Sequence, residues 1–138
     1  MDRYERQYTN TTSIFTCKIM KLIYSNFIPF KGYYAMNLFG FLVRRKKYKN
    51  KLIDPITYNH ESIHEAQAYD FGIGWFGYII FYIWYFIEWL IRLCIDYKTA
   101  YKSISFEQAA YKNQRNLDYL KTRKKFDWIV YIFKFRCK

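Results

Sequence analysis

The sequence predicts a single α+β domain, a small N-terminal β-hairpin or sheet followed by three helices. Three observations carry that expectation. The N-terminal part holds short runs of β-branched and aromatic residues divided by turn formers, the pattern of strands. An Asp-Pro pair at 54–55 then opens a long helical stretch. With 138 residues, the chain has room for one core, and it shows neither an internal repeat nor a linker.

The elements follow in order. Residues 1–12 are polar and predict a frayed end. Residues 13–30 are apolar, with Pro29 as a stop. Leu22-Ile23-Tyr24 reads as a strand, and residues 13–21 read equally as a strand or a short amphipathic helix. Lys31-Gly32 reads as a turn, and residues 33–43 as a second strand-like run with a possible bulge at Gly40. Residues 44–51 carry six basic side chains in eight and read as a solvated loop or a headgroup contact.

Asp54 as N-cap and Pro55 at the first helical position predict a helix to about Tyr69. Gly72, Gly74 and Gly77 break the pattern. A long apolar helix is expected over residues 78–101. A third helix is expected from Ser105, as its N-cap, to about Leu120, and a basic, aromatic tail closes the chain.

Composition narrows the class. Aromatics make up 24% of the chain, with 16 Tyr and 13 Phe, and the net charge is +12. That is more aromatic surface than a small soluble core needs, and it points to a membrane interface, where amphipathic rings are favoured. The positive charge suits the anionic leaflet of a membrane. It would also suit nucleic acid, but no nucleic-acid motif is present, so no such partner is expected. Cys17, Cys94 and Cys137 are odd in number and form no C-x-x-C pair, which excludes a zinc ribbon or a disulfide framework and fits a reducing compartment. The N-terminal apolar run is interrupted by Lys18 and Lys21 and does not read as a cleaved signal peptide.

The chemistry lies in His60-Glu61-Ser62-Ile63-His64, an H-E-x-x-H segment that holds both of the chain's histidines. On a helix, positions i and i+4 share a face, so both imidazoles can reach one ion. Glu61 projects beside them, where it can take a proton from a metal-bound water. A catalytic zinc site needs a third protein ligand. With no third His, that ligand is a carboxylate, from Asp70, Glu88, Asp96 or Glu107. Glu65 points away from the His60/His64 face. Glu107 fits best, because it opens a later helix whose small neighbours Ala109 and Ala110 allow close packing. Glu88 has Arg92 as its i+4 partner, and Asp70 lies too near the end of the His helix to turn back.

H-E-x-x-H followed by a Glu on a later helix resembles the gluzincin metallopeptidases. Glu107-Gln108-Ala109-Ala110 is similar to the E-x-x-A segment of their membrane-bound members, which place apolar segments between the two motifs. The resemblance covers roughly residues 55–115. It implies a zincin-like domain and a zinc-dependent peptidase with His60, His64 and Glu107 as ligands and Glu61 as general base. Those relatives carry Asp four positions after the ligand Glu. Here that position is Tyr111, so the usual second partner of a zinc-bound His is missing from its expected place. Tyr111 is a candidate oxyanion donor, and the strand over residues 33–43 offers an edge for a peptide or protein substrate.

Residues 71–87 form 17 consecutive uncharged positions, about 26 Å as a helix. A single crossing would put His64 and Glu107 on opposite sides of a bilayer. The segment is therefore expected to dip in and return, to lie in the interface, or to be covered by partner subunits in a homo-oligomer. The basic clusters on both sides of residues 71–95 would face one anionic leaflet, the cytoplasmic one by the positive-inside tendency. The rival reading is a non-catalytic membrane-associated structural or assembly protein with no need of metal.

Overall fold

The computed structural model describes residues 20–29 and 32–134. The predicted frayed end, the helix-or-strand alternative over residues 13–19, Lys31 of the predicted turn, Cys17 and Cys137 lie outside these residues. The fold is α+β, a small three-stranded sheet followed by helices.

Strands β1 (Lys21–Ser25), β2 (Ala35–Leu38) and β3 (Phe41–Arg45) make a sheet of order β1-β3-β2. β1 runs parallel to β3, and β2 pairs antiparallel with it, Leu38 opposite Phe41. The single strand expected over residues 33–43 is thus a two-residue hairpin, and Gly40 is in its turn rather than a bulge. Phe39 (φ 51°) and Gly40 (φ 80°) both take the left-handed conformation that such a hairpin requires. Phe39 is held there by ring contacts with Trp75, Tyr78 and Tyr82. A Cβ at Gly40 would lie 2.6 Å from the Tyr78 hydroxyl, so any side chain there would strain the backbone and displace that ring. Arg44 and Arg45, expected in the basic loop, belong to β3, and Arg44 is fully buried. Its guanidinium lies over the Tyr34 ring and donates to Lys51 O. A short 3-10 turn, Lys46–Tyr48, carries the loop that remains.

Helix α1 (Pro55–Asp70) starts as the sequence predicts, with the Asp54 carboxylate accepting from Thr57 N at 3.1 Å. Most of its buried residues are polar: Asn59, His60, Glu61, Ser62, His64, Glu65, Gln67 and Asp70. Buried polar groups persist only with partners, and α1 has them. Asn59 Nδ2 donates to the carbonyls of Gln114 and Asn116, Ser62 Oγ to Tyr58 O, and Asp70 pairs with Arg123 at 2.6 Å.

Helix α2 (Trp75–Ile95) begins earlier and ends earlier than expected. Gly74 is its N-cap, Gly77 lies inside it, and Asp96 stops it by turning its carboxylate to Lys98 N and Thr99 Oγ1. Helix α3 (Ala100–Ser103) is a single turn. Helix α4 (Ser105–Asn113) has Ile104 rather than Ser105 as N-cap and stops well short of Leu120. After it come α5 (Tyr119–Thr122) and a 3-10 turn, Asp127–Tyr131. The described residues therefore hold five α-helices where the sequence suggested three. The tail is part of the core, because Trp128 is buried against Phe106. The main core joins Ala68, Tyr78, Phe81, Ile104, Phe106, Ala109 and Trp128. Ala109 and Ala110 are wholly buried, as expected of small residues at a close approach between helices.

Candidate metal centre

α1 presents His60 and His64 one turn apart, and α4 brings Glu107 to them. His60 Nε2 and His64 Nε2 are 3.1 Å apart. Glu107 Oε2 lies 3.4 Å from His60 Nε2, and Oε1 lies 3.2 Å from His64 Nε2. All three residues are buried. Among the described residues this is the group of His, Cys, Asp and Glu side chains able to hold a metal ion.

Hydrogen bonds behind the imidazoles fix their tautomers. Gln67 Nε2 donates to Phe106 O at 3.2 Å, so Gln67 Oε1 is the atom that faces His64 Nδ1 at 2.8 Å. An amide oxygen only accepts, so Nδ1 carries a hydrogen and the Nε2 lone pair is left to face inward. Gln114 Oε1 lies 3.1 Å from His60 Nδ1, an arrangement that suits the same tautomer. Two inward lone pairs beside a carboxylate repel unless a proton or a cation lies between them. Glu107 Oε2 accepts no hydrogen bond although it is buried, a costly state unless the oxygen has another partner. Donors bound tetrahedrally at 2.0–2.1 Å lie about 3.3 Å from one another, and the three separations here bracket that value. The residues present fit a metal ion.

Charges in the site follow its geometry. Burial alone would raise Glu107, but the His64 and His60 imidazoles outweigh it and hold the carboxyl well below its usual range. Burial alone would lower His64, but Glu107 and Glu61 reverse this and push it up to about 9. Glu61 is pushed up by burial, although His64, His60 and the Asn37 N–H act against this. Its Oε2 accepts from Asn37 N at 2.7 Å, and Asn37 Nδ2 donates to Glu61 O at 3.2 Å. The edge strand β2 therefore clamps the residue next to the first ligand.

The other acids considered as third ligand are engaged elsewhere. Asp70 is held by Arg123 and by Phe126 N. Glu88 is paired with Arg92, as the i+4 spacing predicts, and it also takes both donors of Ser105. Asp96 turns to Thr99. Glu65 lines a second, smaller hollow with Phe39, Gly40 and Tyr78, away from the ligands.

A cavity of about 690 Å³ opens over the centre. It runs between β2 and the inner face of α2, and Tyr82, Tyr85, Phe86 and Trp89 form its apolar wall. Tyr111 also lines it, with its ring 4.8 Å from that of His60. Burial and the nearby Glu107 push the Tyr111 hydroxyl up, so it stays protonated and able to donate.

Sequence reasoning missed Gln67, Gln114, Asn37 and Tyr85. Gln67 is three residues after His64 and shares its helix face, so spacing alone would have found it. Gln114, Asn37 and Tyr85 reach the centre through tertiary packing and leave no local signal. Comparison with family models, curated proteins and solved structures finds no match to this chain. The site is thus defined by its own geometry: a buried group of two imidazoles and one carboxylate, with a second carboxylate beside it.

Proposed function

We propose that the chain is a zinc-dependent hydrolase, a membrane-associated metallopeptidase of the gluzincin type that cleaves an amide bond in a peptide or protein substrate. The observation that carries this reading is the convergence of His60, His64 and Glu107, with Glu61 beside them in an apolar-walled cavity.

Bound zinc would polarise the substrate carbonyl and lower the pKa of a coordinated water to about 7. His60, His64 and Glu107, which line the cavity, would hold the ion. Glu61 accepts the proton of the attacking water and delivers it to the departing amine. Its Oε2 is tied to Asn37 N, so the carboxylate has one orientation before substrate arrives. Tyr111 donates to the oxygen that gains charge. β2 is an edge strand along the cavity, but Asn37 N is taken by Glu61, and Asn37 O accepts from Tyr82 at 3.2 Å. Strand addition by a substrate therefore begins at Ala35, whose peptide groups point the same way as those of Asn37.

α2 supports the membrane part of the reading. It is the one helix among the described residues long and apolar enough to cross a membrane. Its inner face packs on the domain from Tyr78 to Arg92, while Trp75, Phe76, Ile79, Ile83, Ile87 and Ile91 are exposed on the other side. A helix covered by protein along one face suits burial in the interface rather than a crossing. The exposed lysines 46, 47 and 49 suit an anionic, cytoplasmic leaflet.

The test is metal content. Protein purified without a His tag is expected to hold about one zinc per chain, and His60→Ala with His64→Ala to remove it. Full zinc in that double variant sinks the proposal. Bound iron in place of zinc would turn it from hydrolysis to oxygen chemistry, since two imidazoles and a carboxylate also suit Fe(II).

A further inference from the structure

Two polar side chains on the inner face of α2, one turn apart, reach α4. Glu88 Oε1 accepts from Ser105 N at 2.8 Å, and Glu88 Oε2 from Ser105 Oγ at 2.6 Å. That fixes the first residue of α4, two positions before Glu107. Tyr85 then reaches the ligand itself, donating its hydroxyl to Glu107 Oε1 at 2.8 Å. The Tyr85 ring lies parallel to that of Phe106, at an interplanar angle of 3° and a centroid distance of 6.1 Å.

The two oxygens of Glu107 are therefore not equivalent. Oε1 accepts from Tyr85, and Oε2, 3.4 Å from His60 Nε2, completes no hydrogen bond, although the Tyr101 hydroxyl also faces the carboxylate. A carboxylate oxygen that accepts a hydrogen bond is the poorer donor to a cation, because part of its charge is already engaged. Both oxygens lie within 3.4 Å of an imidazole Nε2, so either one or both can reach an ion held there.

We propose that Tyr85 is a positioning residue for the metal centre: its hydroxyl occupies Glu107 Oε1, so that the carboxylate binds through Oε2 alone and one coordination position stays open for water. The proposal rests on the metal reading above. It gives α2 a function on each face, since the side chain that sets the ligand's mode of binding projects from the helix whose other face is apolar and exposed.

Cobalt(II) is the probe, because its visible bands are intense when it is four-coordinate and weak at higher coordination number. The cobalt-loaded wild type is expected to show the intense bands. In Tyr85→Phe the ring still packs on Phe106, but Oε1 is released to bind. The bands should weaken, and metal affinity, read by competition with a chromophoric chelator, should rise, because the ion gains an oxygen donor. Ile83→Ala, an exposed change on the same helix, should alter neither. A Tyr85→Phe spectrum and affinity like those of the wild type overturn the positioning role and leave the metal site standing. A wild type that takes up no cobalt overturns the metal reading and this proposal together. X-ray absorption on the wild type checks the claim without any variant, since two oxygens of Glu107 at bonding distance from the ion would overturn it.

Discussion

Glu88 and Glu107 are both buried carboxylates, yet they are satisfied in opposite ways. Glu88 has Arg92 at 2.9 Å and both donors of Ser105, so its charge is neutralised and its oxygens are occupied. Glu107 has the hydroxyls of Tyr85 and Tyr101, two imidazoles and an oxygen that completes no hydrogen bond. A buried charge needs compensation: Glu88 has it in the guanidinium of Arg92, whereas Glu107 has it only while a proton or a cation lies among the imidazoles. Glu88 is therefore read as structure and Glu107 as a ligand, though both are acids at helical positions near the same cavity.

The first way to break that comparison is to remove carboxylates from the centre itself. Glu107→Ala is expected to lose metal and activity together. Glu61→Gln keeps the size of the side chain but cannot accept a proton. It should retain near-normal zinc and lose roughly 10² to 10⁴ in turnover. Zinc analysis beside a peptide-cleavage assay reads both, and an equal loss of zinc in the two variants would mean the roles are wrongly assigned.

The second way is to disturb Glu88, which should register in stability. Arg92→Leu leaves the Glu88 charge buried without its partner, and it removes the donor to Ile132 O. Breaking a buried pair on one side costs about 3–5 kcal/mol, read as a fall in the denaturation midpoint. An unchanged midpoint would show that Glu88 and Arg92 are not a structural pair. At the outer face of α2 the effect is smaller still on the fold. Ile83→Ser with Ile87→Ser should reduce partition onto anionic vesicles, each apolar side chain contributing about 1.5–3 kcal/mol when fully buried. The metal content should not move, and unchanged partition would refute the interfacial placement.

The contrast also explains what was legible in the sequence. His60, His64 and Glu61 could be read because helix periodicity ties spacing to geometry. Glu107 could be read because it opens a later helix with small neighbours, while Glu88 and Asp70 had local reasons to be set aside; Asp96 had none, and the structure engages it with Thr99. The β-hairpin was hidden because its first turn residue is Phe39, whose left-handed conformation is imposed by Trp75, Tyr78 and Tyr82 from a distant helix. The α2 boundary was hidden because the helix runs through the earlier charges Glu88 and Arg92, whereas Asp96 ends it by bonding to Thr99. The missing Asp at position 111 looked like a lost hydrogen-bond partner. In the structure the Nδ1 atoms of His64 and His60 meet the side-chain amides of Gln67 and Gln114 instead.

The pH dependence of metal binding is a graded effect, and its sign follows from His64. In the metal-free protein, burial disfavours the charged imidazole, but Glu107 outweighs this and raises His64 to about 9. A raised value in the folded state means that the His64–Glu107 pair stabilises the metal-free fold fully below the unfolded value near 6.5. That contribution is lost as pH rises through about 9. Metal binding runs the other way, because it requires the Nε2 lone pair and must displace this proton. Apparent zinc affinity should therefore rise about tenfold per pH unit, about 1.4 kcal/mol, up to pH 9, and then level off. A competition titration against a chelator of known proton affinity, run from pH 6 to pH 10, reads the slope. Gln67→Glu sharpens the test, since a carboxylate at His64 Nδ1 would favour the imidazolium further and shift the plateau upward. A flat profile below pH 9 would show that the imidazole and the carboxylate do not share a proton, and that the facing nitrogens of His60 and His64 are kept apart by something else.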